Sequence, residues 1–433
     1  MPPGLALLLL FWSGIWTVGG QNVDTLTIAN DQEGVVPFFI YDKETYPQIQ
    51  PLTMVRSVEE LQTCEMWTGT SINVGYWDIT FSWYNALLNH PWRTTSPEGA
   101  EVFVVLFDLE QSNNAGICGE ETHQDRVEEA VHVLRSSPWY RRKYGRDHMW
   151  PVGWYLIDEE YPEKQRIPAF PYSLRDTMRN MTVSHYIDWH MNSQDVSYWK
   201  GGGRPLDEPD YWRQPWWRTK THFRCSVTTP VVVGPYVYKE DLSFEEWQAR
   251  DTLVFFRGKF DKFGCSKADG AQVSRDKTEE LWNAVPNISV HKRHAKGDPM
   301  NYSREIHNSR FCLVMNCDDP QTSRFVDSMA AGCMPLIIDN GFRLVAAPFN
   351  EILNYDTFTI SVPSEMWNQD PTGAIHFIYT YPEVKLRRMY EALINARKHL
   401  LWNHPESTVA TNALLEVKRD CLSPGAPVDY PPP

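Results

Sequence analysis

Beyond its first twenty residues, the 433-residue chain has no apolar run that reaches the length of about 20 residues needed to span a bilayer. Cations are also scarce: 41 Lys and Arg against 55 Asp and Glu leave a formal net charge of -14, which repels nucleic acid polymers at long range. The GxGxxG and P-loop patterns are missing, so neither nicotinamide nor ATP chemistry has a motif behind it. No GxSxG elbow occurs, which removes the usual support for Ser-His-Asp hydrolysis. There is no DxD tripeptide, and Asp318 and Asp319 read as loop or helix-start capping residues. Eight cysteines (Cys64, Cys118, Cys225, Cys265, Cys312, Cys317, Cys333 and Cys421) match no zinc spacing, so no protein-bound metal is expected. An even count without a metal template points to disulfides and an oxidising compartment.

What is present fits a secretory route. "GLALLLLFWSGIWTVGG" is apolar, shorter than a full span and followed by small residues, so residues 1–20 read as a signal peptide or a short signal anchor. Membrane contact is then expected only where that segment is retained. Three sequons, at Asn180, Asn287 and Asn301, fit lumenal exposure. Counts of 18 Trp and 20 Tyr suit a carbohydrate cleft, because indole and phenol rings cover apolar sugar faces and still offer a polar edge. Aromatic-rich cores and turns account for the same counts. The segment 198–220, rich in Gly, Pro and Trp, reads as a long loop, either a binding rim or a surface cover.

Residues 21–99 are weakly patterned and read as a lead-in. Thereafter strand-type runs at 100–109, 145–158, 181–189, 228–238, 252–258, 287–293, 311–315, 334–338 and 356–362 alternate with helical patterns at 121–140, 278–285, 301–310, 322–331 and 382–404. Such alternation predicts an α/β fold with mainly parallel, Rossmann-like sheets. A boundary near 238–250 divides it into domains at 100–245 and 246–404, followed by an extension, 405–433, with a disordered Pro-rich end.

In such sheets ligands bind beyond the carboxyl ends of strands. "FCLVMNCDDPQTSRFVDSMAAGCMPLII" (311–338) leaves a strand and starts a helix there, where backbone N–H groups and the helix dipole favour an anion. Within it, Arg324 is suited to a phosphate or carboxylate, and Ser323 and Asp327 lie on nearly the same side. Asp327 either accepts sugar hydroxyls or pairs with Arg324. At a second strand end, Arg257 precedes Gly258, offering either a diphosphate contact or a turn-stabilising one. "GRDHMW" sets Arg146, Asp147 and His148 in a row, a group able to orient or deprotonate a hydroxyl, or simply to form a turn.

The series "TLVFFRGK", "YSREIHNSRFCLVM", "TSRFVDSMAAGCMPLII" and "FNEILNYDTFTISVP", with "YGRDHMW" and "TTPVVVGPY" upstream, resembles the exostosin family of glycosyltransferases in order and spacing. The likeness runs from about residue 100 to 400. It implies a GT-B fold, with two Rossmann-like domains facing a cleft, and a Golgi enzyme of the lumen or membrane, with secretion as the alternative. The implied donor is a UDP-sugar, with no obligatory cofactor; the acceptor is an oligosaccharide, polysaccharide or glycoprotein. The same resemblance implies that Cys312 pairs with Cys333 and that Arg257 and Arg324 contact the diphosphate. It also sets Asp327 at the family's acidic nucleotide-binding position and Arg146, Asp147 and His148 at the cleft, with Asp147 or His148 as base. The family usually carries Glu at the position of Asp327, and its loop after "FCL" differs from "NCDDPQ" here. A catalytically inactive carbohydrate-binding or scaffold protein is the alternative, and a secreted hydrolase a third reading.

Overall fold

A computed structural model of the chain describes residues 34–65, 79–152, 174, 177–178, 180–185, 225–234, 236–258, 271–281, 285, 287–292, 299–315, 322–339, 342 and 347–422. The expectations for residues 1–20, for the loop 198–220 and for Asp318–Asp319 lie outside the described residues. Two parallel five-stranded sheets, each flanked by helices, make a two-domain GT-B α/β architecture.

The first sheet runs β1 (Phe38–Ile40), β2 (Val102–Val104), β3 (His148–Pro151), β4 (Thr182–His185) and β5 (Cys225–Thr228), in chain order across the sheet. Side-chain alternation divides its two faces. Phe103, Val105, Trp150 and Val183 pack against Val127, Val131 and Leu134 of helix α2, while Val102, Val104 and Met149 join the larger core on the other side. Helix α1 (Ile79–Leu88) lies on that other side, with Trp83 and Leu87 in the larger core. Helix α2 (His123–Ser136) starts at a capping box between Thr122 and Asp125. It stops before Pro138, which opens α3 (Pro138–Lys143) as its first residue.

The lead-in expectation for 21–99 is corrected by β1, whose "FFI" pairs in register with β2 from within it. A strand of three residues is too short to register as periodicity. The strand expected over 228–238 is displaced to β5, because Pro230 supplies no N–H for the ladder, and residues 229–234 form the linker between the domains.

Helix α4 (Phe244–Gln248) precedes the second sheet, which comprises β6 (Thr252–Gly258), β7 (Ile288–Lys292), β8 (Ser309–Val314), β9 (Met334–Asp339) and β10 (Ile360–Pro363). Its spatial order, β7-β6-β8-β9-β10, places β6 and β8 side by side although β7 intervenes in sequence. The longer described helices here are α5 (Ala271–Leu281), α6 (Pro299–His307), α7 (Ser323–Ala331), α8 (Pro371–Ile378) and α9 (Glu383–Leu400). Gly332 ends α7 at φ 61°, and a Cβ there would lie 2.7 Å from the Leu242 methyls, so only glycine fits both the backbone and the space. Cys312 of β8 is joined to Cys333, just before β9.

After α9 the chain returns to the first domain. Trp402 donates to the carbonyl of Pro230 at 2.7 Å and packs edge-on against Trp83 of α1. Helix α10 (Val409–Glu416) and a π-helical turn (Val417–Leu422) follow, and Cys421 is joined to Cys225 of β5. The extension expected at 405–433 is therefore a packed element through residue 422. Cys64 is joined to Cys118 in the first domain. Among the described residues, no helix is long and apolar enough to cross a membrane.

Candidate functional site

Strand order locates the crevice before any side chain is considered. From β6 the chain moves outward to β7, then crosses back to β8 on the other side. Connections diverging from neighbouring strands leave an opening at their carboxyl ends, the topological switch point of an open parallel sheet. Among the described strands the first sheet has no such reversal.

Arg324 bridges that opening. Its Nε donates to the carbonyl of Arg257 at 3.0 Å and its Nη1 to that of Met315 at 3.5 Å, so one side chain spans the ends of β6 and β8. Its guanidinium stands 5.2 Å from the centre of the Phe256 ring, and that of Arg275 in α5 stands 5.5 Å from the same ring. Gly258 admits this approach: a Cβ there would come within 3.0 Å of the Arg324 guanidinium. Beside it, α7 begins with no side-chain cap, Ser323 is half-buried in its first turn, and the buried Thr322 hydroxyl has no hydrogen-bond partner among the described residues. Helix-start N–H groups, a partial positive charge and a cation make this corner suited to an anion. The fully buried Arg275 was missed in the sequence because α5 begins seven residues before the helical pattern expected at 278.

Arg257 does not share this arrangement. Its guanidinium pairs with Glu305 of α6 at 3.2 Å, on the face where Phe255 meets Tyr302, whereas Phe256 and Arg324 meet on the other. Strand alternation sends Arg257 and its neighbour Phe256 to opposite faces. The two arginines, expected together at the diphosphate, touch through the Arg257 backbone while their side chains lie on opposite faces of β6.

Asp327 turns inward. One carboxylate oxygen accepts the linker N–H of Gly234 at 2.8 Å and the other the hydroxyl of Tyr302 at 3.0 Å. Burial raises its pKa to about 6, against the opposing pull of Gly234, Tyr302 and Arg324. Where donor binding is expected of it, Asp327 is 3% exposed and anchors the linker to α7.

Asp147 and His148 lie at the opposite end of their sheet. β3 begins at His148, so both residues, with half-buried Arg146 beside them, sit at the amino ends of strands. Asp147 accepts from Arg142 at 2.9 Å and from His148 Nδ1 at 2.9 Å, and Lys143 lies within 3.5 Å. His148 stacks on Phe103 and its Nε2 accepts the hydroxyl of Tyr41 at 2.7 Å. Burial lowers the His148 pKa, keeping the ring neutral. For Asp147, burial pushes the pKa upward, but hydrogen bonds from His148 and Arg142 and the charge of Arg142 outweigh it and leave the pKa low. Both side chains are 2% exposed or less, and their contacts lock the bottom of the first sheet rather than facing the crevice of the second.

Of the sequons, Asn180 is 1% exposed, which corrects its assignment as an acceptor, since a glycan needs the amide in solvent. Asn287 is exposed, and Asn301 is half-buried and accepts from Arg304. Among the described residues, no group of three or more His, Cys, Asp or Glu is placed to hold a metal ion.

The family model for the Exostosin GT47 domain matches residues 33–375. The "Probable arabinosyltransferase ARAD1" of Arabidopsis thaliana is 24% identical over 328 residues, covering 73% of this chain and 61% of that protein. Exostosin-1a of Danio rerio is 30% identical over 91 residues, 21% of this chain and 12% of its own length. The chain thus spans less than two thirds of the length of these relatives. A pneumococcal O-GlcNAc transferase, GtfA, solved with UDP and GlcNAc, aligns over 70% of this chain and 62% of its own at 11% identity, but its TM-score of 0.32 carries no argument. With the family model covering both parallel sheets, the chain belongs to the Exostosin GT47 domain family.

Proposed function

We propose that the chain is a glycosyltransferase that moves a sugar from a nucleotide-sugar, a UDP-sugar, to a hydroxyl of an oligosaccharide, polysaccharide or glycoprotein. The observation that carries this reading is Arg324 bridging the ends of β6 and β8 beside the uncapped start of α7. Breaking the anomeric C–O bond builds negative charge on the departing diphosphate. A cation and helix-start N–H groups stabilise that charge more in the transition state than in the ground state, which is what accelerates a reaction. Closure of the first domain over the crevice brings the acceptor hydroxyl into line and excludes water. The three disulfides among the described residues suit an oxidising lumen, in keeping with a Golgi or secreted location.

Transfer from a panel of UDP-sugars to glycan acceptors, read by mass spectrometry, tests the reading. It predicts transfer by the full chain and its loss in Arg324→Ala with the fold intact. Normal turnover in that variant would sink the assigned site. One observation favours a second reading, a catalytically silent glycan-binding protein: Asp327 spends both carboxylate oxygens on the protein rather than on the crevice. Saturable glycan binding with no transfer from any donor is its signature.

A further inference from the structure

We propose that the amino-terminal end of the second sheet carries a separate carbohydrate site, which holds one carboxylated pyranose unit of a glycan. A cavity of about 140 Å³ lies there, where Leu253 and Phe311 stand near the starts of β6 and β8. Gly258 lies five steps along the strand from Leu253, so the cavity and the crevice are roughly 16 Å apart at about 3.3 Å per residue. The cavity holds no part of the anion site described above.

Its floor is aromatic and aliphatic: Phe244, Trp247, Phe311 and Ile378 are each at most 4% exposed. Its rim is polar, with Gln248, Arg310, Glu383 and the phenol rings of Tyr379 and Tyr381. An apolar floor under a polar rim is complementary to a pyranose, whose C–H face packs on rings while its hydroxyls point outward. Cavities of about 150 Å³ take a single six-membered ring, so the size admits one sugar unit.

The rim also contains unspent hydrogen-bonding capacity. The Arg310 Nε is buried without a partner, and the Arg310 guanidinium, Gln248 amide and Tyr379 hydroxyl make no hydrogen bond or ion pair among the described residues. A buried donor left unpaired calls for an explanation, and a bound acceptor supplies one. Charge then selects the ligand. Arg387 is taken by Glu245 and Glu383, but Arg310 has no carboxylate, and Lys385, 4.1 Å over the Tyr381 ring, has none either. Arg310, with no carboxylate partner among the described residues, beside an aromatic platform whose Tyr381 ring carries Lys385, favours a sugar that brings its own carboxylate.

The test is binding of methyl β-glucuronide and methyl β-glucoside to the full chain, by titration calorimetry and saturation-transfer NMR. Because no transfer is required, this result is separable from the fate of the proposed activity. Saturable binding of the glucuronide, with weaker binding of the glucoside, is expected. Arg310→Gln and, independently, Tyr379→Ala are each expected to weaken it about tenfold, while Arg324→Ala leaves it unchanged. Absence of saturable binding would overturn the site, and equal affinity for both glycosides would overturn the carboxylate assignment. Loss in Arg324→Ala with retention in Arg310→Gln would move the binding to the crevice and overturn the proposal as well.

Discussion

Arg324 donates from Nε to the backbone carbonyl of Arg257 at 3.0 Å, while the Arg257 side chain leaves on the other side of β6 toward Glu305. Neighbours in space are thereby unequal in function. Arg324→Ala removes the cation at the switch point and is expected to lower transfer by about 10²–10³-fold, as loss of one transition-state donor typically does. Arg257→Ala removes an ion pair with Glu305 and is expected to cost less than tenfold. Initial rates at saturating donor, normalised to folded protein, separate the two; equal losses would restore a shared clamp.

Asp147 and His148 make a different forecast, one about stability. Removing the carboxylate in Asp147→Ala leaves Arg142 and His148 without their buried partner, at a cost of about 3 kcal/mol or more. His148→Gln is expected to keep transfer within a few-fold per folded molecule, where loss of a general base would cost about 10²–10⁴-fold. Both groups also weaken the fold in acid. The low folded pKa of Asp147 gives stability present above its unfolded pKa and lost as pH falls, and neutral His148 penalises folding once the unfolded imidazole takes a proton. Denaturant midpoints at graded pH, with the activity of His148→Gln, check both parts.

Asp327 works in the opposite direction. Its folded pKa of about 6 exceeds the ordinary 3.8, so the folded chain binds the proton more tightly than the unfolded chain. The stability this supplies is complete below about pH 4 and is lost as pH rises through about 6. Asp327→Asn has no such titration, so the variant should gain on the parent by up to ~3 kcal/mol between pH 4 and pH 7. Urea unfolding of both proteins across that range measures the gap. A gap that does not move with pH would mean that Gly234, Tyr302 and Arg324 already hold the carboxylate charged throughout.

The second domain was the more legible half because its strands are buried on both faces and read as unbroken apolar runs. "TLVFFRG" is β6 from end to end, and "MPLII" all but one residue of β9. Its crevice followed from strand ends and a helix start, both local features. The directions of Arg257 and Asp327 were not local: one is set by Glu305 and the other by Gly234, 93 residues away. The position of Asp147 was in principle readable, since residues immediately before a strand lie at its amino end, away from the crevice of a parallel sheet. Nothing in "PESTVATNALLEVKRDC" announces that α10 returns to the first domain, because that packing depends on partners near the other end of the chain.

That return is held covalently by Cys225–Cys421, which closes a loop of 196 residues, whereas Cys312–Cys333 closes one of 21 within the second domain. A long closed loop restricts the unfolded chain more, so replacing Cys225 and Cys421 with alanine should cost about 2–5 kcal/mol. The effect should also be local. Without the bridge, buried Val417 still anchors the π-helical turn, but its polar contacts, such as Lys418 with Glu101 and the carbonyl of Val35, are exposed and weak. Trypsin should then cut at Lys418 and Arg419 in the native state, before global unfolding. The Cys312/Cys333 double alanine variant should lose stability too, yet keep those two bonds protected, because its missing bridge lies between β8 and β9. Equal protection of Lys418 and Arg419 in both variants would mean that the Trp83–Trp402 contact and the α10 core suffice to hold the C-terminal segment.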